Sequence, residues 1–264
     1  MRLSRLITLA IALTALTACG SGDVTAPSQP PLGDVRFINA VADTGNVDIT
    51  MIDQIEWSAK ALNLPFRGPG TQYWPTEAKT RHIRVFPTSR NIGVTSQVLL
   101  DTQVDITAGS RVTLLLTGSA RAGTLAFVKI DDAGPAPAAG QIGVRVVNAS
   151  TGAVDGYLVT AATDPVSGTP FAANVGANAT SAYTGRAVGA AAVRATDAGS
   201  ATVNASQAGP VAPATPAGEK PAAGVTAAGT LFSVYYFPRG VAGSPQAALT
   251  TPGMVWFVDR NPAD

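Results

Sequence analysis

The stretch "VRFINAVADTGNVDI", Val35 to Ile49, decides the fold because it is said again as "VRVVNASTGAVDGYL", Val144 to Leu158. Val35-Arg36 lines up with Val144-Arg145, Asn39-Ala40 with Asn148-Ala149, and Val47-Asp48 with Val154-Asp155. Further pairs follow in the same order. Pro65-Phe66 answers Pro170-Phe171, Tyr73 answers Tyr183, and "TAGSRVTLLL" answers "AAGTLFSVYY". Last, "LAFVKIDD" answers "VWFVDRNP", which sets Phe127-Val128 over Phe257-Val258. The period is too long for a solenoid repeat, so the pattern reads as one domain present twice.

Within each copy apolar residues alternate with polar ones, the period of a half-buried strand. Val47, Ile49 and Met51 alternate with Asp48 and Thr50, and Val112, Leu114 and Leu116 repeat the spacing. Turn-forming "ADTGN", "FRGPG", "TSRN" and "TAGS" separate these runs. A helical period is absent, and Ile55 to Leu64 has room for one helical turn at most. About seven short strands per hundred residues is the signature of a sandwich. The expected fold is therefore all-β, with two tandem immunoglobulin-like β-sandwich domains at 34–132 and 141–264. The Gly- and Pro-bearing "AGPAPAAG", 133–140, reads as the linker between them. The second copy is poorer in large apolar residues, and its "GPVAPATPAGEKPAAG" reads as a mobile surface loop.

The opening motif, the "LPF" after it, "LLDTQVDITAGSRVTLLLTG" and "LAFVKIDD" together resemble the domain-of-unknown-function family 4397. The resemblance covers Val35 to Asp132 and, more weakly, Val144 to Asn261. It implies a bacterial envelope β-sandwich, often duplicated, and brings no catalytic residues to carry over.

The N-terminus points to the same compartment. Arg2 and Arg5 precede a short apolar run, Leu6 to Ala15, which is too short to span a bilayer. The run ends in Leu16-Thr17-Ala18-Cys19, which resembles a bacterial lipobox. Residues 1–18 are thus expected to be a lipoprotein signal peptide, with Cys19 as the lipidated residue and 19–33 as a flexible tether. Cys19 is the single cysteine of the chain, and acylation accounts for a thiol that has no disulfide partner. Gly20 in place of an aspartate favours the outer membrane over inner-membrane retention. With 18 basic against 17 acidic side chains and 13% charged residues, neither a nucleic-acid footprint nor a polybasic lipid patch is present.

The residues that carry chemistry are few. One histidine, His82, alternates outward beside Ile83, and with Cys19 acylated no Cys–His pair or familiar zinc set remains. No metal or cofactor is expected. Asp43, Asp48, Asp101, Asp105, Asp131 and Asp132 are the carboxylates available for acid–base work, and turn chemistry or solvated strand faces account for each. Asp48 and Asp155 recur, as do Asn39 and Asn148, which suits hydrogen-bond anchors at strand ends. Asn148, Asn178 and Asn204 begin glycosylation-like triplets that composition explains. Tyr73 and Trp74, in "RGPGTQYWPTEAKTR", are the candidate ligand-binding aromatics, as platforms for sugars or peptides. Tyr73, answered by Tyr183, equally suits a recurring packed tyrosine. The expectation is a lipid-anchored envelope protein with a non-enzymatic binding or structural role, its partners a membrane and an envelope protein or glycan. The alternatives are a cell-wall or carbohydrate module using Trp74, and a glycoside-active enzyme with two carboxylates about 5 to 9.5 Å apart.

Overall fold

A computed structural model describes residues 30–53 and 61–262. The signal segment 1–18, Cys19 and most of the tether lie outside the described residues, as do Ile55 to Lys60 of the expected helical turn. Pro31 onward forms one compact unit.

The first half contains β1 (Leu32–Asn39), β2 (Val47–Met51), β3 (Ala61–Leu64), β4 (Trp74–Glu77), β5 (Thr80–Pro87), β6 (Leu100–Asp105), β7 (Arg111–Thr117) and β8 (Ala126–Asp131). The second contains β9 (Gln141–Asn148), β10 (Val154–Val159), β11 (Ala172–Val175), β12 (Thr184–Ala187), β13 (Ala192–Asp197), β14 (Val203–Ala208), β15 (Leu231–Phe237) and β16 (Gly253–Arg260). Sheets β4-β1-β7-β8 and β3-β2-β5-β6 form one sandwich; β12-β9-β15-β16 and β11-β10-β13-β14 repeat the same order in the other. In each, the opening strand runs parallel to the seventh, β1 to β7 and β9 to β15. The fold is all-β, as expected. One four-residue helix, α1 (Ile92–Thr95), was not signalled by periodicity; Asn91 starts it by accepting the Gly93 N–H.

The repeated opening phrase has a sharper meaning than a half-buried strand. In β1, Val35 and Phe37 face the core of the first sandwich with Val112 and Leu114. Arg36 and Ile38 alternate with them and are also buried, at 3% and 0% exposure. They face the other half, where Ile38, Leu115, Ile130, Val147, Tyr235, Phe237 and Phe257 form a third apolar core. Both faces of the central strands are therefore dry. The halves pack sheet on sheet, with Tyr235 edge-on to Phe257 at 5.0 Å and Phe66 edge-on to Phe237 at 6.2 Å.

Strand register corrects two of the sequence pairings. Val35 pairs with Val112 and Val144 with Phe232, while Val112 pairs with Asp131 and Phe232 with Val258. Asp131 thus corresponds to Val258 and Asp132 to Asp259, so Phe127-Val128 overlies Met254-Val255 and not Phe257-Val258. Likewise Phe66 follows β3 whereas Phe171 precedes β11, so the two Pro-Phe pairs are not equivalent. The true match is Asn63 with Asn174, both at positive φ (55° and 49°), a conformation asparagine tolerates. Their N–H groups bond to Asp48 at 2.7 Å and Asp155 at 2.6 Å. Asn39 and Asn148 are anchors too, donating to the Leu64 and Val175 carbonyls at 3.1 and 2.9 Å.

Residues 133–140 form no strand, yet they are held against the second half. A Cβ added at Gly134 would lie 2.5 Å from the Tyr183 ring and 2.9 Å from Leu231. Arg260 also reaches the Gly134 carbonyl at 3.3 Å. Residues 209–224 contain neither strand nor helix and are mostly exposed. Gly134→Val is expected to lower unfolding free energy by about 1–3 kcal/mol through overpacking, read from the urea midpoint at unchanged slope.

Candidate functional site

The buried arginines of the repeated phrase find their partners across the interface between the halves. Arg36 Nη2 donates to Asp259 Oδ1 at 2.7 Å and its Nη1 to the Val258 carbonyl at 2.9 Å. Reciprocally, Arg145 Nη2 donates to Asp132 Oδ1 at 2.5 Å and its Nη1 to the Asp131 carbonyl at 2.7 Å. Each Nε meets a hydroxyl of its own sheet, Arg36 with Thr113 at 3.0 Å and Arg145 with Ser233 at 2.7 Å. Those hydroxyls donate to Asp132 and Asp259 at 2.6 and 2.5 Å. Tyr73 and Tyr183 complete the set, donating to Asp132 and Asp259 at 2.8 Å each. Each arginine lies 4.5 Å over the ring of its tyrosine. Such reciprocity is that of an isologous two-fold contact, here built within one chain.

Burial and the nearby Asp259 push the Asp132 carboxyl up, while Arg36, Thr113 and Arg145 pull it back. Burial raises both Tyr73 and Tyr183 above the ordinary phenol range, so they stay neutral donors. Burial opposes the charge on Arg36, but the Asp259 and Asp132 carboxylates beside it help outweigh that and hold the guanidinium ionised. Tyr235, wholly buried, has its hydroxyl beside Thr113 without a regular hydrogen bond. The four charges balance two against two, and the Asp132 and Asp259 side chains have no exposure. No substrate reaches these carboxylates; the arrangement aligns two sheets.

The candidates from the sequence are scattered. Tyr73 is committed to Asp132 and stacked between Arg36 and Arg111, 4.5 and 4.1 Å from its ring, so it serves as a packed tyrosine and not as a flat platform. Trp74 is 48% exposed on edge strand β4, opposite Val35, and Thr184 holds its place in the second half. His82 is partly exposed and contacts Asp101, which also accepts from Arg84 at 2.7 Å. Asp105 contacts Thr80. Asp43 is 7% exposed and ties the β7–β8 turn, accepting from the N–H groups of Ala120 at 2.9 Å and Arg121 at 3.1 Å. The structure brings none of these together with Trp74. The sequence reading missed the partners of Arg36 and Arg145; the shared "D-x-x-P-A" of Asp132–Ala136 and Asp259–Ala263 was the available signal.

Where β1, β7, β9 and β15 end, a cleft of about 760 Å³ opens between the halves. Corresponding residues face it from both sides: Ala40 and Ala149, Gly118 and Pro238. One wall is the β15–β16 loop, 238–252, which is longer than its counterpart 118–125 and reaches over to the first half. Arg121 donates to the Ala242 carbonyl at 3.2 Å, Ser244 to Ala42 at 3.1 Å and Gln246 to Thr44 at 3.3 Å. Arg67 grips the far end at the Thr251 carbonyl, 2.6 Å.

The family model described as "Domain of unknown function (DUF4397)" matches residues 33–157. That span runs from β1 into β10 and supports the family resemblance over the first half. No curated protein matches the chain. Among solved structures, one described as "Alpha-glucan binding by a streptococcal virulence factor" is similar at 13% identity and TM-score 0.21. The match covers 65% of this chain and 83% of that one, and a likeness so slight carries no argument.

Two outcomes are expected. Arg36→Met leaves Asp259 buried without its guanidinium and should cost about 3–5 kcal/mol, while Arg36→Met with Asp259→Leu recovers part of that loss in denaturant titrations. Burial opposes ionisation of Asp43, but the Ser119 hydroxyl and the Ala120 and Arg121 N–H groups outweigh it, holding the carboxyl below its ordinary value of 3.8. A depressed folded value adds stability above the unfolded one and loses it as pH falls through the folded value. Asp43→Asn should therefore be less stable by about 1.5–3 kcal/mol at neutral pH and converge with the parent in strong acid, as thermal unfolding across pH would report.

Proposed function

We propose that the protein is a lipid-anchored bacterial envelope protein, held to the outer membrane through Cys19, whose two sandwich halves are tandem copies acting as a non-enzymatic binding module. The observation that carries the non-enzymatic part is the use made of the carboxylates. Asp132 and Asp259, the pair most like a catalytic dyad, are sealed and bonded to Arg145, Arg36 and two tyrosines. Asp43, Asp48 and Asp101 hold turns or strand neighbours. A rigid double body with an open cleft between its halves suits holding a ligand. The lipobox-like Leu16–Cys19 and the tether after it support the anchor.

A carbohydrate ligand is the second reading. It is favoured by the hydroxyl-rich lining of the cleft, which includes Thr117, Ser150, Thr151 and Thr250. Trp74, solitary on an edge strand, is a weaker basis for that reading than the cleft.

Fractionation tests the anchor. The parent protein should sediment with membranes and leave them only in detergent, whereas Cys19→Ser should be recovered in the soluble fraction. A serine variant that still sediments with membranes overturns the lipid anchor.

A further inference from the structure

We infer that the cleft between the halves binds an acidic sugar, whose carboxylate pairs with Arg239 and whose hydroxyls meet those of the strand ends. This deepens the carbohydrate reading above and rests on it.

The electrostatics come first. Arg239 is exposed, lines the cleft, and makes no hydrogen bond or ion pair with any described residue. The other arginines at this end are spent on carbonyls: Arg121 on Ala242 and Gly243, Arg67 on Pro238 and Thr251. No aspartate or glutamate is among the described residues that line the cleft. A guanidinium facing a cavity without a counter-ion is complementary to a ligand carboxylate, which it grips with two parallel N–H bonds.

The second observation concerns hydroxyls. Thr117 is 6% exposed, lines the cleft, and has no side-chain partner among the described residues. Its counterpart in the second half is Phe237, which packs into the core between the halves. At corresponding strand ends, one half thus presents a hydroxyl to the cleft and the other a phenyl ring to the core. Thr151, Asn178 and Thr250 also line the cleft without side-chain partners among the described residues. Hydroxyls and an amide both donate and accept, which suits a polyol. Ser119, Thr124 and Ser150 also line the cleft, each with a partner of its own, and the remaining walls are Ala, Gly, Val and Pro. A volume of about 760 Å³ lies within the usual range for small-ligand sites. The floor is made of strand ends, which gives fixed positions to the groups above it.

The test uses the full-length Cys19→Ser protein and calorimetric titration with a defined oligogalacturonate, its methyl ester and a hydroxyl-free dicarboxylate. Saturable binding is expected for the oligogalacturonate, weakened about tenfold or more in Arg239→Ala and at high salt. Arg239→Ala should keep the parent's melting temperature, because the exposed side chain has no hydrogen bond or ion pair with a described residue. Thr117→Val should also weaken binding, and the ester should bind weakly with no further loss in Arg239→Ala. Equal binding of acid and ester, with Arg239 irrelevant, overturns the acidic class but leaves the carbohydrate reading standing. Binding of the dicarboxylate as tightly as the oligogalacturonate overturns the sugar and leaves only an anion site. Absence of saturable binding by all three overturns the inference.

Discussion

Arg36 and Arg145 each cross from one half of the molecule to an aspartate of the other, and the remaining structure is arranged to make that crossing possible. Two guanidiniums cannot be buried without compensation, because several kcal/mol of hydration is lost with each ion. Here the loss is met at every atom: each arginine has a carboxylate, a main-chain carbonyl and a hydroxyl, and lies over a tyrosine ring. Those demands are directional. Apolar sheets can slide over one another with modest change in energy, whereas hydrogen bonds of 2.5 and 2.7 Å fix one offset and one angle. The apolar third core supplies the adhesion and the ionic crossing supplies the alignment.

From that alignment the cleft follows. With the sheets registered at Arg36 and Arg145, Ala40 and Ala149 follow the ends of β1 and β9, and their small side chains leave the cleft open between the halves. The loop 238–252 then turns an open notch into a walled space, because Arg121, Ser244 and Gln246 tie it to the first half. The shared residues of the two halves build the frame. The residues at this end that differ between them, Thr117 against Phe237 and Ser119 against Arg239, give the space its chemical character.

Much of the frame was legible in the chain. Alternation in Val47–Met51 and Val112–Leu116, with turns between them, is enough to predict sandwiches, since a period of two admits only strands. The recurring Asp48/Asp155 and Asn39/Asn148 were legible as anchors because a residue that serves backbone geometry must reappear wherever that geometry does. Other features depended on long-range contact. Arg36 served the sequence comparison only as an alignment anchor, and its burial is visible only when the second half is set against the first. The pairing of Phe127-Val128 with Phe257-Val258 went astray by matching like side chains, where the ladder of β16 fixes Val255 opposite Tyr235. Strand β4 was hidden by Pro75, which an edge strand accommodates where a central one would not. Arg239 and Thr117 carry no motif; what marks them is the lack of a polar side-chain partner among the described residues.

The placement of Asp259 on β16, the last of the sixteen strands described, has a bearing on how the chain is made. Synthesis delivers Arg36 first and its carboxylate only after more than two hundred further residues. Until then Arg36 has Thr113 and the Tyr73 ring of its own half, and the apolar sheet face beside it lacks the strands that complete the third core. The arrival of β16 completes the Arg36–Asp259 pair and adds Phe257 to the core between the halves. A chain that stops before β16 holds fifteen of the sixteen described strands, and Arg36 is left without the carboxylate of the other half.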